Sequence, residues 1–184
     1  MSELIPSRQE CLALMEQESM LSQIKGHSLQ VCRVALCLGE NLMHQFPQLN
    51  LNLIEAGALL HDIAKTECLK TKGNHVEVGA AMVRSWGFTA VAPIVAQHVS
   101  FESPDYYNGS VDEVILVHYA DKRVLHEEVV DLKERFAYLI KTYGRSEDVI
   151  KRIEALYAAT LNLEETIFKH LPFPPRALKD HLFN

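Results

Sequence analysis

Apolar residues recur along most of this chain at steps of three and four, which is the period of an amphipathic α-helix. The clearest case is a helix predicted from about His27 to Phe46. Its apolar face comprises His27 followed by Val31, Val34, Leu38 and Leu42. Sustained strand alternation is not found along the sequence. The pattern therefore predicts an all-α helical bundle.

Capping residues mark the other predicted helices. Ser7 and Glu10 match a capping box, and Asn52 with Glu55 signals the start of a helix that would carry "GALLHDIAK". The remaining helices are predicted from His75 (capped by Asn74) to Trp86, from Thr89 to His98, from Asp112 to Leu125, from Asp131 to Tyr143 and from Ser146 to about Leu171. The proline-rich tail "PFPPRALKD" is expected to be an extended strap.

Composition, net charge and the absence of certain sequence signals limit the classes of protein to which this chain can belong. The chain has 184 residues, of which 48% are hydrophobic, enough for one domain with a substantial core. A net charge of −6 argues against binding to a nucleic-acid polymer, because such binding depends on neutralising phosphates. The sequence shows no membrane-length apolar run, no secretory signal and no Cys-x-x-Cys pair, so a cytoplasmic protein without a membrane partner is expected.

A histidine and an aspartate within an apolar helix, as at His61 and Asp62, are costly to bury unless something uses both. Four further histidine and aspartate residues are predicted to face inward or to lie at helix ends, so the candidate metal ligands are His27, His61, Asp62, His75, His98 and Asp121. Imidazole and carboxylate suit zinc, manganese or iron, and ligands from several helices are how a bundle builds a core metal site. The polar surroundings of four further histidines indicate surface or capping residues: His44, His126, His170 and His181.

This set, in this order, resembles the HD superfamily of metal-dependent phosphohydrolases. The matching segments are "GHSLQVCRVA", "LLHDIAK", "HVEVGA", "VAQHV" and "VHYADKRV". "HDIAK" is similar to the HDIG variant, with Ala64 at its glycine. The resemblance implies an all-α fold and a single HD-type domain over residues 1–184, with a motif core at about 26–125 and a C-terminal helical extension at 126–184.

The resemblance also implies a divalent metal held by His27, His61, Asp62 and Asp121. Relatives that keep the positions of His75 and His98 hold two ions bridged by Asp62, so two ions of iron, manganese, zinc or magnesium are expected. Whether His75 and His98 bind the second ion or contact the substrate stays open. Val99 follows His98 and no Gly-Tyr-Pro motif is present, which argues against cleavage of cyclic dinucleotides.

The expected activity is hydrolysis of a phosphoester or phosphoanhydride, in a nucleotide or a related small phosphorylated molecule, by metal-activated water. Asp62 and Lys65 are the catalytic candidates, and Lys65 and Lys122 are candidates for binding the substrate. Arg123 is expected on a solvated face. The alternatives are a di-iron oxygenase of the same fold and a non-catalytic nucleotide-sensing module.

Two further points stay open in the sequence. The irregular segment from Ser100 to Ser110 offers Phe101, Tyr106 and Tyr107 either for stacking on a base or for plugging the end of the bundle. Apolar residues along the last long helix suit a core and a homodimer face equally well.

Overall fold

The computed structural model describes residues 4–100 and 110–182, and within these ranges the chain forms ten α-helices and one two-stranded hairpin. The helices are α1 (Arg8–Gln17), α2 (Ser22–Leu42), α3 (Leu51–Leu60), α4 (Lys65–Thr71), α5 (His75–Ser85), α6 (Ala92–Gln97), α7 (Glu113–Lys122), α8 (Leu132–Tyr143), α9 (Glu147–Phe168) and α10 (Leu178–His181). The all-α prediction is confirmed. No helix in the described ranges combines the length and apolarity needed to cross a membrane.

Side-chain caps define several helix starts as predicted. Ser7 and Glu10 form the full capping box at α1, and Asn74, Asp131 and Ser146 each accept a backbone N–H at the start of their helices. Two predicted caps are wrong. Asn50 caps α3 instead of Asn52, whose own N–H bonds to Asn50 Oδ1 at 3.1 Å. Thr89 does not cap α6, which begins after Val91 without a side-chain cap.

The chain leaves the α-helical conformation and forms a tight turn at His61 and Asp62. α3 ends at Leu60, so the prediction that one helix carries all of "GALLHDIAK" is wrong. The N–H of Ile63 bonds to the carbonyl of Leu60 at 3.0 Å, and the N–H of Lys65 bonds to that of Asp62 at 2.9 Å. These i+3 bonds replace the i+4 bonds of an α-helix and turn the chain toward α4.

A hairpin and the C-terminal tail also depart from expectation. α7 ends at Lys122, and strands β1 (Val124–Leu125) and β2 (Glu128–Val129) follow it as an antiparallel pair. His126 adopts a positive φ of 55° in the connection, a local conformation that hydrophobic periodicity does not reveal. The tail forms a 3₁₀ turn (Pro175–Ala177) and α10 rather than an extended strap. Residues 101–109, including Phe101, Tyr106 and Tyr107, lie outside the described ranges.

The apolar core forms one cluster that extends from Cys11 on α1 to Leu178 on α10. α3 is its centre, and Gly57 on this helix allows α6 to approach closely. A Cβ at Gly57 would lie 2.5 Å from Cδ1 and 3.2 Å from Cβ of Ile94 on α6. This contact brings the end of α6, where His98 lies, close to the turn that carries Asp62.

Arg123 is buried, with 4% of its side chain exposed, so the solvated position expected for it is wrong. Its guanidinium donates to the carbonyls of Val130 (2.8 Å) and Pro175 (3.0 Å). It also donates to the hydroxyl of Tyr119 (2.5 Å) and to Glu164 (3.2 Å). One side chain therefore ties the end of α7 to the hairpin exit, to α9 and to the tail.

Replacing Arg123 by Met is expected to lower the free energy of unfolding by about 3–5 kcal/mol, because Glu164 then keeps a poorly solvated charge without its partner. Urea denaturation followed by circular dichroism measures the loss. The double variant Arg123→Met, Glu164→Leu should recover part of it, since the stranded carboxylate is gone. A single variant as stable as the parent would show that the network contributes nothing to stability.

Candidate metal centre

Five segments of the chain bring the six predicted ligands to one place. His27 lies on α2, His61 and Asp62 on the turn after α3, His75 at the start of α5, His98 at the end of α6 and Asp121 on α7. All except His75 are at most 8% exposed. The side chain of His75 is 26% exposed and lies at the edge of the cluster.

Asp62 and Asp121 lie at the centre of the donor cluster. Oδ1 of Asp62 is 3.4 Å from Nε2 of His75 and 3.4 Å from Nε2 of His98. Oδ1 of Asp121 is 2.9 Å from Nε2 of His27 and 4.0 Å from Nε2 of His61. His61 also lies 3.5 Å from Oδ2 of Asp62, so this imidazole connects the two carboxylates.

The donor atoms form two overlapping groups. In one group, ligand atoms of His27, His61 and Asp121 lie within 4.8 Å of one another, and in the other those of His61, Asp62 and His98 do. His75 adjoins the second group, with its Nε2 3.3 Å from Nε2 of His98. The geometry offers donors on both sides of His61, and whether they hold one ion or two stays a prediction.

Backbone carbonyls fix the tautomers of three histidines. Nδ1 of His27 lies 3.0 Å from the carbonyl oxygen of His126, Nδ1 of His61 lies 2.7 Å from that of Ala58, and Nδ1 of His98 lies 2.8 Å from that of Val95. A carbonyl only accepts, so each Nδ1 carries the proton, which leaves Nε2 as the nitrogen that can coordinate a cation at the centre. The hairpin thus has a role, because it supplies the carbonyl of His126.

Burial keeps the imidazoles of His61 and His75 neutral and therefore able to bind a metal. It lowers the pKa of His61 to about 3 and that of His75 to about 4, against the opposing pull of Asp62 in each case. A neutral ring with a fixed Nδ1–H is the form in which histidine coordinates a cation.

Two buried atoms of the cluster accept no hydrogen bond. Nε2 of His61 and Oδ1 of Asp62 are both acceptors, and neither has a partner among the described residues. Leaving a buried acceptor unsatisfied costs about 1–3 kcal/mol. A divalent cation would satisfy both atoms, so the residues present fit a metal ion, and the all-nitrogen and oxygen donor set suits iron, manganese or zinc.

Two lysines compensate the buried carboxylates. Nζ of Lys65 lies 2.6 Å from Oδ2 of Asp62. Nζ of Lys122 lies 2.7 Å from Oδ2 of Asp121 and 2.7 Å from the carbonyl oxygen of His98. Lys122 therefore joins α7 to the end of α6.

Both carboxylates stay ionised despite their burial. Burial by itself raises the pKa of Asp62, but its charged surroundings, with the Lys65 ammonium in direct contact, outweigh burial and hold this pKa well below its usual range. Burial likewise opposes the ionisation of Asp121, whose pKa is lowered chiefly by neighbouring Lys122. Ionised carboxylates supply the negative charge that a site for a divalent cation needs.

Two residues of the centre were not predicted from the sequence. Nη2 of Arg135, on α8, lies 3.7 Å from Oδ1 of Asp121, and its Nε is buried without a hydrogen-bond partner among the described residues. His118 is fully buried on α7, and its Nδ1 lies 3.1 Å from the carbonyl oxygen of Gln97, next to His98. The one sequence signal for His118 is its spacing of three residues from Asp121. Arg135 has none, because its contact joins distant segments.

Two cavities open onto the donor cluster. The larger, about 450 Å³, is bordered by Asp62, His75, His98, Asp121 and Lys122 at one end. The smaller, about 180 Å³, reaches His27 from the other side. Lys65 and Arg135 line both cavities, so a ligand at the centre would meet both cations.

The fold and this centre define a helical protein built around a buried histidine and aspartate cluster. A family model described as "HD domain" matches residues 24–134, more than half of the chain. The chain therefore belongs to the HD domain family, as its resemblance to that superfamily predicted.

Three curated relatives are similar to this chain. Two, from Thermoplasma volcanium and Picrophilus torridus, are named tRNA (cytidine(56)-2′-O)-methyltransferase. They are 30% and 27% identical over 70% and 71% of this chain, which spans only 41% and 40% of their length. An uncharacterized protein of Methanocaldococcus jannaschii is 26% identical over 81% of this chain and 99% of its own. No solved structure gives a significant match.

Asp62→Asn is expected to bind Mn²⁺ at least about tenfold more weakly than the parent, because it removes charge from the carboxylate that both His75 and His98 face. Equilibrium dialysis with elemental analysis measures the bound metal, and thermal unfolding with and without Mn²⁺ gives an independent readout. Glu147→Gln is the matched control, since it makes the same chemical change at an exposed position. Equal metal binding by Asp62→Asn and the control would contradict the assignment of the centre.

Proposed function

We propose that this chain is a metal-dependent phosphohydrolase that cleaves a phosphoester or phosphoanhydride bond in a nucleotide or a related small phosphorylated molecule. The observation that carries the proposal is the surplus of positively charged side chains over carboxylates at the donor cluster. Lys65, Lys122 and Arg135 contribute three positive charges beside two carboxylates. This local excess in a chain of net charge −6 favours an anionic ligand at the cavities.

Four residues would hold one divalent ion: His27, His61, Asp62 and Asp121. His75 and His98 would bind a second ion or contact the substrate directly. A divalent cation here supplies Lewis acidity, which polarises a phosphoryl oxygen and makes hydroxide available at neutral pH. Lys122 keeps Asp121 in position, and at most one of its three N–H groups is left for a substrate oxygen.

Lys65 and Arg135 are the residues best placed to contact a phosphate group. The side chain of Lys65 is 36% exposed, in contrast to the 4% of Lys122, so a ligand can reach its ammonium group. Arg135 adds a planar guanidinium, whose paired N–H groups match two phosphate oxygens. Both would stabilise the negative charge that accumulates on phosphoryl oxygens in the transition state.

The same donor set would also serve a di-iron oxygenase, and a nucleotide-sensing module would bind without turnover. The reaction named for the two longer relatives is methyl transfer to a tRNA cytidine. Because this chain spans only about two fifths of those proteins, that reaction is not carried over to it. A turnover assay separates the three alternatives.

Protein stripped with a chelator and reloaded with Mn²⁺ or Fe²⁺ is expected to release phosphate from small phosphoesters or phosphoanhydrides, whereas stripped protein should not. Product formed in ¹⁸O-labelled water should carry one labelled oxygen, which identifies hydrolysis. Oxygen consumption without phosphate release, measured with the iron-loaded protein, would favour the oxygenase. Nucleotide binding without any turnover in either metal form would favour the sensor.

Lys65→Met and Arg135→Gln are each expected to lower kcat/KM by about 100-fold or more while metal content stays near that of the parent, because each removes a cation from the transition state. Lys70→Met, which removes an exposed lysine from the same helix as Lys65, is the matched control. Steady-state kinetics and elemental analysis on the same preparations provide the test. Unchanged kinetics in both variants would show that Lys65 and Arg135 have only a structural role.

A further inference from the structure

The larger cavity has two chemically different ends. Its inner end holds the donor cluster and the cations already described. Its outer walls come from α4, from the segment after α6 and from the helical hairpin formed by α8 and α9. These walls comprise Cys68, Leu69, Val99, Leu139, Tyr143, Val149, Ile153 and Leu156.

The apolar stripe of α9 extends beyond the part that the core covers. Leu163 and Ile167, in the second half of the helix, are 2% and 0% exposed. Val149, Ile153 and Leu156 continue the same stripe toward the N-terminus at steps of four and three, yet they are only partly buried and line the cavity. Their apolar surface is in position to contact a ligand in the cavity.

α8 repeats this arrangement in the opposite direction. Leu132 and Phe136, in its first half, are 3% and 1% exposed. Leu139 is partly buried and Tyr143 is 52% exposed, and both line the cavity. The end of α8 and the start of α9 thus place an apolar surface beside the donor cluster. We call this surface the α8–α9 overhang; it comprises Leu139, Tyr143, Val149, Ile153 and Leu156.

This overhang offers few hydrogen bonds. Among the described residues of the outer walls, the side-chain polar atoms are the thiol of Cys68 and the hydroxyl of Tyr143. A sugar or nucleobase placed there would leave several donors and acceptors without partners, at a cost for each one. An alkyl or aryl group has no such requirement and would gain from removal of its surface from water.

Resting on the proposed phosphohydrolase function, we infer that the substrate is a phosphate ester of an apolar organic group, an alkyl or aryl phosphate rather than a sugar phosphate or nucleotide. The charged end of the cavity holds the phosphate, and the α8–α9 overhang holds the organic group. A cavity of about 450 Å³ lies within the usual range for small-molecule sites, roughly 300–1,000 Å³.

Binding of non-hydrolysable phosphonates to the full chain loaded with Mn²⁺ tests this inference apart from turnover. Isothermal titration calorimetry compares methyl-, butyl- and hexylphosphonate, and then 3,4-dihydroxybutylphosphonate and the non-hydrolysable phosphonate analogue of adenosine 5′-monophosphate. Affinity is expected to rise on the order of threefold per added methylene. The dihydroxy compound should bind several-fold more weakly than butylphosphonate, which has the same carbon chain.

Val149→Thr places a hydroxyl on the overhang with little change in shape, and Ile153→Thr does so with the loss of one methyl group. Each is expected to reduce the gain from methyl- to hexylphosphonate at least threefold and to leave the affinity for methylphosphonate unchanged. Leu161→Thr, at a partly exposed position on α9 that does not line the cavity, is the matched control and should keep the full gain. Thermal unfolding confirms that each variant is folded.

The outcomes separate the two proposals. If all phosphonates bind equally well, or if the adenosine phosphonate binds more tightly than hexylphosphonate, the apolar substrate class is overturned and the phosphohydrolase proposal stands. If even methylphosphonate fails to bind and no phosphoester is hydrolysed, the anion site itself is wrong and both proposals fall.

Discussion

Two carboxylates and three imidazoles lie close together in the apolar interior of a small helical protein, with a fourth imidazole, that of His75, at the edge. This burial of charge is the constraint on which the rest of the structure depends. Asp62 is 1% exposed and Asp121 is 6% exposed. An ionised group at such depth is tolerated only with charge partners and hydrogen bonds close by. Lys65 and Lys122 supply the charge, each at hydrogen-bond distance from one carboxylate. The lone pairs that still lack a partner mark where a cation would complete the compensation.

The backbone is arranged to serve this cluster. Three carbonyl groups orient imidazoles, and they come from α3, from α6 and from the hairpin after α7. Gly57 lets α6 pack against α3 without an intervening side chain, which places His98 next to Asp62. Arg123 then holds the hairpin exit, α9 and the tail to the end of α7, two residues after Asp121. The contacts that pack the helices together therefore also set the geometry of the donor cluster.

The sequence was sufficient for most of the helices and for locating the six candidate ligands, because both leave local signals. Periodicity and caps such as Asn74 and Ser146 are short-range features, and an inward-facing histidine or aspartate on an apolar stripe can be recognised from its neighbours. The tight turn at His61–Asp62, the hairpin at His126 and the burial of Arg123 could not be predicted in this way. The turn depends on local i+3 bonds and the hairpin on the positive φ of His126, neither of which periodicity reveals, whereas the burial of Arg123 depends on partners distant in sequence. Arg135 was not predicted for the same reason as Arg123, because its contact with Asp121 joins two separate helices.

The family match covers only part of the residues that line the site. It ends at residue 134, so all six donors and both lysines fall inside it, whereas Arg135 and the apolar overhang of α8 and α9 fall outside. Membership of the HD domain family therefore bears on the donor cluster and leaves the organic part of a ligand unspecified. That part would be selected by side chains such as Leu139 and Ile153, whose apolar surface the core leaves partly uncovered. A helix that extends its apolar stripe beyond its core loses hydrophobic stabilisation at each uncovered residue, and a bound ligand that covers the stripe restores it.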